Sequence, residues 1–170
     1  MAKRIITAFG ALLLIGASVA HSDQLKTGDI EVAFRFSYSK LDFDGRGGDS
    51  EAKEIVGMFG YMLSDHHQVG AGVGYSGVGS SDAMEYGASY SYNFRAGQSL
   101  NPFVSAVILG FGGDLGDVFD FGYGAELGVK VYPWPHGGML FGVTYRELTG
   151  AGGGPDANSF LAFGGLTLKF

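Results

Sequence analysis

The stretch Asp29-Ile30-Glu31-Val32-Ala33-Phe34-Arg35-Phe36-Ser37-Tyr38-Ser39-Lys40-Leu41 decides the fold. Ile30, Val32, Phe34, Phe36 and Tyr38 fall on one face of an extended chain, and Glu31, Ala33, Arg35, Ser37 and Ser39 on the other. A period of two with one oily and one polar face is the signature of a β-strand between two different solvents.

The pattern recurs seven more times. Ile55, Gly57, Phe59, Tyr61 and Leu63 oppose Val56, Met58, Gly60 and Met62, and Val69, Ala71, Val73 and Tyr75 oppose Gln68, Gly70, Gly72 and Gly74. A fourth segment sets Met84, Tyr86, Ala88, Tyr90, Tyr92 and Phe94 against Glu85, Gly87, Ser89, Ser91 and Asn93. The fifth, Phe103 to Phe111, is apolar on both faces, and Val104, Ala106 and Ile108 are taken as its outward set. The last three carry Phe121 to Val131, Met139 to Tyr145 and Phe160 to Phe170 at every second position on the oily face.

In these segments the polar face is rich in Gly, Ser and Thr, and the oily face carries aromatics near the strand ends. A soluble sandwich or lipocalin-like barrel would bury its large apolar residues and show charge outside. Small inward residues suit a narrow barrel interior, and outward aromatics suit the two interfaces of a bilayer. The expected fold is all-β: a closed antiparallel eight-stranded transmembrane β-barrel, with roughly 9 to 11 residues per crossing strand.

Composition agrees. The chain has 170 residues, 31 of them Gly, with 14 Phe, 9 Tyr and no Cys. The glycines follow no collagen period, and 46% hydrophobic with 16% charged residues argues against disorder. The absence of Cys excludes a disulfide scaffold or cysteine metal site. Lys3 and Arg4, the apolar run Ile5 to Gly16 and the small residues Ser18-Val19-Ala20 predict a signal peptide over residues 1–20, leaving 21–170 as the barrel domain. Removing it takes the net charge from −6 to −8, which disfavours nucleic acid as a partner.

The alternating hairpins, Val69-Gly70-Ala71-Gly72-Val73-Gly74-Tyr75, Asn101-Pro102-Phe103-Val104, Gly122 to Lys130, and the terminal Leu166-Thr167-Leu168-Lys169-Phe170 carry a resemblance. Together they look like the outer-membrane β-barrel domain superfamily that includes the OmpA- and OmpX-type barrels. The resemblance implies a cell outer membrane location and periplasmic termini. It also implies that Leu166, Leu168 and Phe170 resemble the signal read by the barrel-assembly machinery, after escort by periplasmic chaperones. Outer-membrane lipids and lipopolysaccharide are the implied surroundings of a monomer. Residues 64–67, 95–101 and 132–137 become periplasmic turns, and 42–53, 77–83, 112–120 and 147–159 surface loops.

Parity places Glu31, Glu85, Glu126, Arg35, Lys130, Arg146 and Lys169 inside, a surplus of one positive charge. Buried charges are costly unless paired, so Glu–Arg and Glu–Lys pairs are expected, led by Arg35 with Glu126 or Glu85. An eight-stranded barrel is just wide enough to be filled by its own side chains, which favours a plug; inward glycines leave a narrow solute channel as the alternative. Glu54 is counted here among the acids of the surface loops, which carry a large negative excess suited to sharing divalent cations with lipopolysaccharide and unsuited to heparin-like polyanions. Asp114, Asp117 and Asp120 form a weak candidate Ca²⁺ run that lacks EF-hand spacing.

Two further patterns argue against chemistry. Gly72-Val73-Gly74-Tyr75-Ser76-Gly77 matches a dinucleotide fingerprint, but a strand follows it where the mechanism needs a helix. Lipid A-modifying hydrolysis needs a Ser and a His near the outer leaflet, whereas His66, His67 and His136 lie in predicted periplasmic turns and His21 at the mature N-terminus. Trp134, between two prolines, reads as an interfacial anchor. The expectation is a structural or surface-interaction protein, not an enzyme, with no cofactor.

Overall fold

The computed structural model describes residues 25–43, 50–78, 81–95, 98–154 and 156–170. The signal-peptide reading and His21 therefore fall outside the described residues, as do Asp44, Arg46 and Asp49. Eight strands follow in order: β1 (Ile30–Phe43), β2 (Ser50–Met62), β3 (His67–Val78), β4 (Ser81–Asn93), β5 (Leu100–Gly113), β6 (Phe119–Trp134), β7 (Gly137–Gly150) and β8 (Ala157–Lys169). Each pairs antiparallel with the next, and β1 closes on β8 from Glu31↔Lys169 to Phe43↔Ala157. Reciprocal bonds between Ile30 and Phe170 extend that seam. Closure leaves no strand edge, so the ladder groups bond strand to strand as a hydrocarbon solvent requires.

The alternation sorts as the sequence indicates. Phe34, Phe36, Ile55, Val73, Ile108 and Leu127 face outward and are about half exposed or more, while Glu31, Arg35, Glu85 and Glu126 are buried. The apolar β5 resolves with Val104, Ala106 and Ile108 outward and Phe103, Ser105 and Val107 inward. Tyr38, Tyr75, Tyr123 and Tyr145 gird one rim of the oily wall; Tyr61, Tyr92, Phe94, Trp134 and Phe170 gird the other.

The strands are longer than a bare crossing needs, with 12 to 16 residues against an expectation of about 9 to 11. Pairing continues beyond the oily belt, so much of the predicted loops is strand. Of the segment 42–53, Asp42 and Phe43 belong to β1 and Ser50 to Lys53 to β2. The turn 132–137 shrinks to Pro135 and His136, because Trp134 ends β6 with a register shift after Val131. Gly72 to Gly77 run inside β3 with no helix after them.

Much of the glycine excess has a steric cause. A Cβ on Gly124 would lie 2.1 Å from the Tyr145 carbonyl oxygen, and one on Gly165 equally close to that of Phe34. Elsewhere an aromatic ring from a neighbouring strand occupies the vacant position: Phe103 beside Gly128, Phe163 beside Gly142, and, on the outer wall, Tyr86 beside Gly110. Glycine here lets rings lie flat on a curved sheet.

Candidate functional site: the filled lumen

Inward side chains stack in layers along the barrel axis. At the end where Leu25 and Phe170 lie, here the terminal end, Leu25, Met62 and Tyr132 form an apolar cluster. Leu25 precedes β1 yet is buried, because the chain before the strand folds across the mouth. Gly28 N–H donates to the Met62 carbonyl at 2.8 Å, and the backbone N–H and hydroxyl of Thr27 donate to Asp65 Oδ1 at 3.0 and 2.9 Å. Those two bonds hold the Asp65 carboxyl below its usual value.

Above this cluster lies Glu31. Lys130 Nζ approaches its Oε2 to 2.5 Å and Gln68 Nε2 donates to the same oxygen at 2.7 Å. Tyr132 and Thr167 hydroxyls donate to Oε1, each at 2.7 Å. Lys169, the cross-strand partner of Glu31, is buried in the same layer. At mid-height Arg35 Nη1 lies 2.7 Å from Glu126 Oε1, with the guanidinium carbon 4.8 Å from the Phe163 ring centre. Thr144 Oγ1 donates to the same Glu126 oxygen at 3.3 Å. Ala33, Phe103, Leu140 and Phe163 pack around this level.

Toward the opposite, loop end, Arg146 spans two carboxylates: Nη2 lies 3.2 Å from Glu54 Oε1 and Nη1 3.1 Å from Glu85 Oε2. Ser37 Oγ donates to Glu54 at 2.8 Å. Phe111, Phe119, Leu148 and Ala157 then cap the lumen, with Leu109 and Leu115 against them.

Arg35 thus meets Glu126, and Glu85 goes to Arg146. Glu54 is a correction to the sequence reading: it is a lumen residue, buried on β2, not a loop acid. Its even number, in phase with Val56 and Met58, was the available signal, obscured because it stands where the oily alternation begins. With it, the described lumen holds four carboxylates and four cations, Glu31, Glu54, Glu85 and Glu126 against Arg35, Lys130, Arg146 and Lys169, so the expected surplus of one positive charge disappears. Gln68, Tyr132, Thr144 and Thr167 were missed as hydrogen-bonding partners because uncharged inward residues carry no mark in the alternation.

Between the layers two chambers remain. One of about 30 Å³ lies around Arg35, Glu54, Glu85 and Arg146; another of about 40 Å³ lies around Glu31, Gln68, Ser105 and Lys130. Spaces of this size hold a few waters at most. Leu166, Leu168 and Phe170 all point outward at the terminal end.

Other residues singled out in the sequence do not converge on chemistry. Asp114, Asp117 and Asp120 are exposed, and among the described residues no group of three or more His, Asp or Glu could hold a metal ion. His66, His67 and His136 all lie at the terminal end. His66 Nδ1 is 2.8 Å from the Asn93 carbonyl and its ring stacks on Tyr92; His67 Nδ1 is 2.5 Å from the Tyr90 hydroxyl. These two rings extend the aromatic girdle.

No family model matches the chain, and no curated protein matches it. Solved structures do. A neisserial surface protein, NspA, is 20% identical with a TM-score of 0.66, covering 84% of this chain and 99% of its own. The N-terminal barrel domain of OprF from Pseudomonas aeruginosa is 14% identical with a TM-score of 0.58, over 86% of this chain and 100% of its own. The outer-membrane protein OprG from the same organism is 16% identical with a TM-score of 0.54, over 88% and 99%. Closure, strand number and these likenesses agree: the chain has the fold of the eight-stranded outer-membrane β-barrels.

Proposed function

We propose that this chain is an integral protein of a Gram-negative-type outer membrane, with a structural or surface-interaction role and a lumen plugged by its own side chains. The observation that carries the plug is the layering: apolar clusters close both ends, three ionic layers cross the lumen, and the remaining chambers take only a few waters. Residues 1–20 serve as the removed signal peptide, the terminal end faces the periplasm, and Leu166, Leu168 and Phe170 present the assembly signal. The protein reaches the membrane through periplasmic chaperones and the barrel-assembly machinery and works as a monomer. The loop end then faces outward, where Asp114, Asp117 and Asp120 sit in water beside lipopolysaccharide. Catalysis forms no part of this role, since the described histidines sit at the far end.

Purified barrel in planar bilayers is expected to show no steady nanosiemens openings; such openings would overturn the plug. Membrane fractionation and heat-dependent gel mobility test the location and the closed barrel. A second reading, a narrow channel, draws on Arg35–Glu126 being the bridge between the two chambers: separating that pair would join them. Liposome swelling with small solutes distinguishes it.

A further inference from the structure

Five charged side chains border the lumen chamber nearer the loop end: Glu54, Glu85 and Glu126 against Arg35 and Arg146. All five are buried, so bulk water does little to screen the excess of one acid. Arg35 belongs to Glu126, at 2.7 Å. It also attracts Glu54, but Glu126 offsets that charge at the same level. Arg146 is left to both remaining carboxyls, and one of its nitrogens serves them together: Nη1 donates to Glu85 Oε2 at 3.1 Å and to Glu54 Oε2 at 3.3 Å. The two carboxyls lie within hydrogen-bonding reach of each other. Two carboxylates cannot make that contact, since each only accepts; a carboxylic acid and a carboxylate can.

No further cation at this level balances the second carboxyl. β1 adds the Ser37 hydroxyl, which donates to Glu54, and β3 adds Ser76, opposite Glu54 in the register. From β5 come Val107 and Leu109, and from β8 Ser159 stands opposite Arg146, so among the described residues neither strand brings a titratable group to the chamber. Lys130 and Lys169 lie in the Glu31 layer toward the other end. A calcium-like ion asks for about six to eight oxygens, whereas this space is about 30 Å³ and the guanidinium already occupies the side that both carboxyls share. A proton needs neither room nor a ligand shell. Two buried polar atoms of this layer, Arg146 Nε and Ser76 Oγ, have no hydrogen-bond partner. Arg146 borders the chamber, so a water held there takes the Nε–H and gives the carboxyl pair a route for proton exchange.

We infer that Glu54 and Glu85 bind one proton between them, as a carboxylic acid hydrogen-bonded to a carboxylate on the Arg146 guanidinium, which makes this layer a buried proton-binding site at neutral pH. With that proton the charges around the chamber balance, two against two. The inference adds a ligand to the plugged lumen proposed above. The folded chain holds a proton that the unfolded chain, its carboxyls in water, releases at neutral pH, so the site makes the barrel less stable as pH rises.

Infrared spectroscopy of the full-length processed barrel in detergent, from mildly acidic to alkaline pH, tests it. At neutral pH a carboxylic-acid C=O band equivalent to one group per chain is expected, shifted in D₂O and lost at alkaline pH. Glu85→Gln and Glu54→Gln should each abolish it, because the remaining carboxylate then has Arg146 to itself, and Asp117→Asn should keep it. Urea unfolding reads the linked effect. Wild-type stability should fall from neutral to alkaline pH, and Glu85→Gln, whose amide donates to Glu54 without titrating, should flatten that slope. Absence of the band from the wild type at neutral pH, or its persistence in both glutamine variants, would overturn the site. Its loss on addition of Na⁺ or Ca²⁺ would overturn it too, by identifying a metal ion as the occupant. Heat-dependent mobility reports the barrel of each variant, and planar-bilayer recording reports the plug: a chain that conducts yet keeps the band loses the plug and retains the proton site.

Discussion

Arg35 on β1 and Glu126 on β6 meet at 2.7 Å across the lumen although their strands are not neighbours in the sheet. Both are buried, so each depends on the other for charge compensation. Arg35→Ala is expected to destabilise the barrel by about 3–5 kcal/mol by stranding Glu126. The double variant Arg35→Met, Glu126→Leu should cost less than either single truncation. Urea unfolding of vesicle-reconstituted protein, followed by gel mobility, measures both.

Glu54 separates a lumen residue from a loop acid by its energetics. Removal of the carboxylate leaves Arg146 with Glu85 and strands Ser37, so Glu54→Ala should cost about 3 kcal/mol in the same assay. Asp117→Ala, exposed at the loop end, should stay within about 0.5 kcal/mol.

Glycines of the barrel wall, Gly124 on its inner face and Gly112 on its outer, divide by what a methyl group would meet. Gly124→Ala drives a Cβ to 2.1 Å from a carbonyl oxygen that cannot yield without breaking the β6–β7 ladder, whereas Gly112→Ala meets nothing within 4 Å. Loss of about 3 kcal/mol or failure to reach the compact gel form is expected of the first, and near-neutral behaviour of the second.

The segment before β1 is pinned at Asp65. Because Thr27 donates two hydrogen bonds to the ionised carboxylate, the folded-state value lies below the unfolded one. The stabilisation is therefore complete above the unfolded value and lost as pH falls through the folded one. Carboxyl-carbon NMR in detergent should show Asp65 titrating below an ordinary aspartate, with Thr27→Ala moving it back up.

Phe170 closes the β1–β8 seam and points outward. Phe170→Ser should lower the heat-modifiable protein in outer-membrane fractions several-fold, while refolding of the purified chain into detergent changes little. That contrast isolates recognition during assembly from stability.

Facing was legible in the sequence because a strand between hydrocarbon and a polar lumen must alternate, and one residue of slip would invert every side chain. That logic placed even β5, where both faces are oily. Strand length was not legible. Beyond the belt both faces meet water, alternation fades, and Ser50 to Lys53 look like loop although they pair with β1, Ala52 and Lys53 with β3 as well. Glu54 was lost at that boundary. Pairing inside the lumen was legible as a need and not as a map, since which cation meets Glu85 depends on strand stagger and barrel radius. Leu25 was invisible for another reason: nothing in a lone leucine ahead of a strand says that it will fold back over the mouth.

The interior contacts span unusual distances along the chain. Arg35 and Glu126 are 91 residues apart, Arg146 and Glu54 92, Lys130 and Glu31 99, and Thr167 and Glu31 136. Such contacts offer nothing to a hairpin or to a half-built sheet, which would hold the same charges open to water. Their attraction appears only when the first and last strands meet. The lumen therefore acts as a proof of closure: only a sheet that joins in the correct register brings Arg35 to Glu126, Lys130 to Glu31 and Arg146 to Glu54 and Glu85 together. Unfolding should reverse this, with the barrel opening as a unit rather than peeling strand by strand.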